Sequence, residues 1–253
     1  QQYANAWQGI ATSDYPRFGR NFWEIPYLLD GWRFQQSTTD ITKPFGGRES
    51  ILYWEDGFGQ ITEVCQKGAT FRGQSAWGKP GIAVAQMTNL VATLYTGEIF
   101  DNNVAVITAF DQSHTNAIWH FCQSPEFSSL VRMIDDKLNV TNATLSKVPF
   151  DLAYWQSIAN ESGPIPQPHS GDETQWVFHG SILGSDNPLQ VAVSRLLGYR
   201  WPDLPKSPDS IDKLADSDGI LCLPGVRGEA AAAERLLEVL KTAYGNEWSD
   251  SVL

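Results

Sequence analysis

Cysteine is scarce in this chain: 253 residues hold three, Cys65, Cys122 and Cys222. They lie far apart, match no zinc or redox spacing, and their odd count makes poor disulfide arithmetic. Buried free thiols in a reducing, cytoplasmic setting are the expectation. No run approaches the ~20 apolar residues of a membrane-spanning helix, and no secretory leader is visible. The chain opens on Gln1 rather than Met, which reads as a processed chain or a piece of something longer. Histidine is sparse too. His114 and His120 stand six apart, on different faces of a helix, and His169 and His179 are isolated, so no metal pair is expected. Asp135-Asp136 and Asp216 with Asp218 offer fewer ligands than a Ca²⁺ loop needs. No Gly-rich cofactor loop follows a strand.

What is present is a globular composition, 42% apolar and 19% charged, with enough length for a sizeable core. Residues 76–155 organise the rest. Three short apolar strands are expected at 82–85, 90–95 and 104–110, punctuated by Gly97 and Asn102-Asn103. Ile118, Trp119, Phe121 and Cys122, then Phe127, Leu130, Val131 and Ile134, recur at helical spacing. Pro125 suits the first position of a second helix, with Ser124 as its cap. Upstream, ILYWEDG reads as a strand and ITEVCQ as its hairpin-like return. Pro164, Pro166 and Pro168 mark an extended linker. Beyond it, WVFHG is a short strand or turn, Asn187-Pro188 starts a helix, ILCLP is a brief strand, and EAAAAERLLEVLKTAY is a helix stopped by Gly245.

The expected architecture is therefore α+β: a mixed, largely antiparallel β core with packed helices over residues 1–160. A Pro-rich linker over 161–175 and a smaller, helix-rich unit over 176–253 complete it. Charge is uneven. Residues 1–100 carry 8 Lys and Arg against 9 Asp and Glu, whereas residues 156–253 carry 7 against 14. Phosphate neutralisation drives non-specific DNA affinity, so a whole chain at net −11 is a weak non-specific binder.

The order WGKPGIAVAQMTNLVATLYTGEIFDNNVAVI, then FCQSPEF, then VRMIDDKLNVTNATLSKVPFDLAYW resembles the region downstream of the catalytic domain in large N6-adenine DNA methyltransferases. These are the type IIG restriction–modification enzymes and their phage-defence relatives of the BREX and DISARM kind. The resemblance covers about residues 5–160, and WVFHGSILGSDNPLQVAVSRLLGYRWP with DGILCLPGVRGE is similar to the tail of actinobacterial-type members. It implies a target recognition domain that docks duplex DNA against a methyltransferase domain N-terminal to this chain. GIATSDYPRF is similar to the family's junction loop, Gly-x-x-Thr-Gly-Asp-Asn-x-x-Phe, but Ser13 stands where the second Gly is usual and Tyr15 where Asn is usual. A positive φ there would strain Ser13.

The methylating tetrapeptide of the family, Asn/Asp-Pro-Pro-Tyr/Phe, is absent, and its nuclease carboxylates are not recognisable. This segment is thus expected to carry no catalytic residue, cofactor or metal of its own; S-adenosylmethionine is expected in the upstream catalytic domain. The expected partners are double-stranded DNA and that domain, with no membrane. Candidate DNA contacts are Arg17 and Arg20 beside the junction loop, and Lys43, Arg48, Lys67, Arg72, Gln74 and Lys79 in two Gly- and Ser-rich loops. Arg can grip guanine with two hydrogen bonds, and Gln can grip adenine. The plainer readings are that Arg17 and Arg20 pair with Asp14 and Glu24, and that the loops are ordinary turns with solvated cations.

Two other classes stay open. Ten Trp, eight Tyr and a pI near 4.7 suit a secreted carbohydrate-binding or carbohydrate-active protein, with Glu55, Glu98 or Asp101 as candidate acids that no sequence feature pairs. An acidic protein-interaction scaffold is the third.

Overall fold

The computed structural model describes residues 2–25, 28–65, 69–87, 89–202, 204, 209–226 and 228–249. The chain divides into two compact units, Gln1–Pro168 and His169–Leu253, the division falling within the Pro-rich stretch. Mixed α+β structure with mainly antiparallel sheets is what the described residues show.

The first unit holds two four-stranded sheets. One runs β1 (Ala4–Gln8), β8 (Val104–Ala109), β5 (Gly81–Ala85), β6 (Ala92–Tyr95), antiparallel throughout. The sequences GIAVA and VAVITA lack polar alternation because both strands are buried on both faces. On one face lie Ala83, Tyr95, Val104 and Val106, packed with Ala76, Phe100, Trp7 and Trp77. The other face meets α3 (Thr115–Gln123), which contacts β5, β6 and β8. Ser124 caps α4 (Pro125–Ile134), its hydroxyl accepting from Phe127 N at 3.2 Å. Short α5 (Asn142–Leu145) and α6 (Leu152–Ser162) follow, α6 packing on α3 and capped by Asp151.

The second sheet runs β2 (Gly19–Asn21), β4 (Ser50–Tyr53), β3 (Trp32–Gln36), β7 (Ile99–Phe100), with only the β3–β7 pair parallel. One-turn α1 (Tyr15–Phe18) feeds β2. Leu52, Ile99, Phe18 and Ile10 form its core with Trp54, Ile61, Val64 and Ala69. The expected return strand ITEVCQ is instead a helix, α2 (Ile61–Cys65). Ile61 and Val64, three apart, are both buried, which is a helical spacing. Thr62 donates to Gly59 O at 2.7 Å and the Glu55 carboxylate accepts from Gln60 N at 2.7 Å, closing the turn that starts it.

In the second unit, α7 (Pro188–Leu196) packs on α8 (Ala232–Tyr244). Arg195, 1% exposed, pins the unit: it grips both Asp209 carboxylate oxygens at 2.8 Å, Asp212 at 2.9 Å and Gly180 O at 2.8 Å. Gly245, at φ +52°, ends α8 as expected. ILCLP is not a strand, and WVFHG is a turn; neither apolar run finds a strand to pair with among the described residues.

Candidate functional site

A polar cavity of about 660 Å³ opens in the first unit where the two sheets meet. Register builds its floor. Asn21 of β2 and Gln35 of β3 both face Ser50 of the intervening β4, so the three side chains share one sheet face, and all three line the cavity. One wall is the segment after β1. There Ile10 bridges Asp101 in parallel, its N–H donating to Phe100 O at 2.8 Å, and Ala11 bridges Thr70. This close approach demands Gly9, since a Cβ there would collide with the carbonyl oxygens of Phe100 and Asp101. The segment then turns through Ser13, which sits at φ +58°, and Tyr15 stands beyond it at the rim, 43% exposed. Beside it, the turn Asp101, Asn102 and Asn103 that joins β7 to β8 completes the lining.

The site is rich in hydrogen-bonding groups and carries few ionisable ones. Among the described residues no Lys or Arg lines it, and Asp101 is the one carboxyl. Burial pushes the Asp101 carboxyl above the usual carboxylate range, against hydrogen bonds that pull the other way: the Ser37 hydroxyl donates to it, and Asn103 N donates at 2.7 Å. Gln35 is 1% exposed, yet neither its amide nitrogen nor its amide oxygen has a partner. The neighbouring Gln36 points to the other face and is tied down, its Nε2 donating to Ser37 O and Gly46 O, each at 2.8 Å. An amide capable of three or four hydrogen bonds and making none is uncommon in a buried position.

The expected DNA contacts scatter. Arg17 and Arg20 are exposed beside the cavity wall, but not in the pairs anticipated. Arg17 donates to the Gln60 side chain at 3.0 Å and lies 3.6 Å from Glu63, while Arg20 curls back on Pro16 O and Gly19 O. Arg72, Gln74 and Lys79 are exposed on one segment, held lightly by the Gln8 side chain, Phe71 O and Ser75 O. Lys67 lies outside the described residues.

KPFGGRES is a loop up to Ser50, as expected, but residues 45–48 are not exposed. It is no open turn, because its backbone docks along β6, Lys43 N donating to Ala92 O and Leu94 N to Pro44 O, and residues 45–48 are buried. Lys43 is accordingly half-buried. Arg48 is 0% exposed, donates to Leu94 O at 2.7 Å, and lies over the Phe45 ring. Burial depresses its pKa to about 10, with nearby Glu98 opposing the shift. A guanidinium so enclosed holds the fold together and offers no fork to a base.

Other candidates recede. Glu98 accepts from the Thr96 hydroxyl at 2.5 Å and Glu55 from Gln60 N, and neither lines the cavity. The two-carboxylate geometry of glycoside cleavage therefore has a single member among the described residues of the cavity. Cys122 is a buried thiol whose pKa is pushed up by burial, the opposite of a nucleophile. Among the described residues no group of three or more His, Cys, Asp or Glu could hold a metal, and no helix is long and apolar enough to cross a membrane. A second cavity of about 230 Å³, between β1 and α3, is lined by Ile107, Ile118, Phe121 and Phe127 and holds no cluster of reactive groups.

Sequence reasoning missed Gln35, Asn21 and Ser50. The signal was WRFQQ, a strand whose two adjacent amides must face opposite sides, so that one of them enters a core. No family model and no curated protein matches the chain.

Proposed function

We propose that this chain is the DNA-sequence recognition module of an adenine-specific DNA methyltransferase of the restriction–modification or phage-defence kind, non-catalytic by itself. The observation that carries the reading is Ser13. The junction loop of the family that the chain resembles places glycine at this position, and the chain adopts φ +58° there although its residue is serine. A positive φ is the backbone state that glycine adopts at no steric cost, so the turn at Ser13 is one that a glycine in the motif would suit.

In this reading Arg17 and Arg20, exposed beside that loop, and Arg72, Gln74 and Lys79 contact duplex DNA, the cations fixing register on phosphates. Base flipping, methyl transfer and S-adenosylmethionine belong to the methyltransferase domain upstream, and the module works in the cytoplasm. The carbohydrate-cleaving alternative is disfavoured by the lone carboxyl of the cavity.

A mobility-shift titration with duplex DNA at low salt, run beside retention on soluble glycans, tests the reading. The expected result is a DNA shift weakened in an Arg17→Ala/Arg20→Ala double variant, without glycan retention. No shift even at low salt, or glycan retention in its place, overturns it.

A further inference from the structure

We infer that the polar cavity between the two sheets is a nucleobase pocket, in which the Gln35 amide pairs with the edge of a purine and Tyr15 closes over its ring. The cavity's inventory selects the ligand class. Among the described residues no Lys or Arg lines it, so they offer no cation to neutralise a phosphate or carboxylate. With one carboxyl, itself held by Ser37 and Asn103, it makes a poor cation site. What it offers is neutral donors and acceptors around a buried amide whose two ends are both unpartnered. A Gln side chain presents a donor and an acceptor side by side, the pattern that matches adenine N6 and N7 in a bidentate pair.

Position agrees with chemistry. The shared register of Asn21, Ser50 and Gln35 directs the Gln35 side chain to the cavity face. Tyr15 packs its ring over Gly19, leaving no room for a Cβ there, and stays 43% exposed at the rim. An oriented, half-exposed ring at the mouth of a polar cleft is a stacking platform for a base. The volume, about 660 Å³, lies within the ~300–1,000 Å³ of small-ligand sites and accepts a nucleoside. The inference rests on the nucleic-acid reading only for how the base arrives; the pocket itself is tested without DNA.

Saturation-transfer NMR on the whole chain, with adenosine, cytidine and maltotriose as separate probes, tests the pocket in the wild type, Gln35→Met and Tyr15→Leu. Adenosine is expected to receive saturation in the wild type. Its affinity should fall at least tenfold in Gln35→Met, whose melting temperature should be unchanged or raised because the lost amide had no partner, and should also fall in exposed Tyr15→Leu, which covers the case of a Gln35 variant that does not fold. No saturation of adenosine, saturation unchanged in either folded variant, or transfer to maltotriose instead overturns the pocket. Duplex binding without adenosine binding would sink this inference alone; adenosine binding without duplex binding would sink the recognition-module reading alone.

Discussion

Ser13 and Asp101 line one cavity, and each holds a state its chemistry disfavours. A non-Gly residue in the left-handed region costs about 1–2 kcal/mol, partly offset because glycine would free the unfolded chain. Ser13→Gly should therefore stabilise the protein by about 0.5–1 kcal/mol, read from urea denaturation midpoints, while Ser13→Val should destabilise it. A glycine variant no more stable than the wild type would show that the strained turn is compensated by something the serine side chain provides.

For Asp101, burial raises the folded-state pKa above the unfolded one. The folded protein then keeps a proton that the unfolded chain has released. The associated stability is fully present below the ordinary carboxylate value of about 4 and is lost as pH rises through the raised value. Asp101→Asn removes that loss, so its stability relative to wild type should increase as pH climbs from about 4 toward neutrality. Parallel pH profiles for the two proteins would contradict the assignment.

At the scale of elements, Arg48 shows how the segment 43–48 differs from an open loop. Its guanidinium satisfies Leu94 O on β6 and faces the Thr96 hydroxyl and Glu98. Arg48→Met would strand that carbonyl and leave Glu98 without its compensating charge. A destabilisation of about 2–4 kcal/mol is expected, visible as a lowered urea midpoint; a variant as stable as wild type would return Arg48 to the list of surface contacts.

Legibility also divides by element. The apolar runs GIAVA and VAVITA and the Ser124-Pro125 start of α4 were readable because burial pattern and cap are local signals. Segment 43–48 was not, since glycine, lysine and arginine advertise exposure, and only its pairing along β6 buries it. ITEVCQ misled because a five-residue helix and a strand share short apolar runs, although the three-residue spacing of Ile61 and Val64 was there to be read. The cavity floor was hidden for another reason: Asn21, Gln35 and Ser50 become neighbours only through strand register, which three polar residues on three separate segments do not reveal.

At the scale of the whole molecule, the acidity is shared. Residues 1–168 carry 11 Lys and Arg against 16 Asp and Glu, and residues 169–253 carry 7 against 13. Any DNA contact by the first unit must therefore come from a few exposed cations working against the net field. Such binding is weak, strongly salt-dependent and traceable to few residues. Fluorescence anisotropy of a labelled duplex, titrated with the whole chain across a salt series, reads all three properties at once. Affinity is expected to fall linearly on a log–log plot, with the slope reduced by about one for each of Arg17→Ala, Arg20→Ala and Arg72→Ala. Absence of binding at low salt, or a slope indifferent to all three substitutions, would contradict the account.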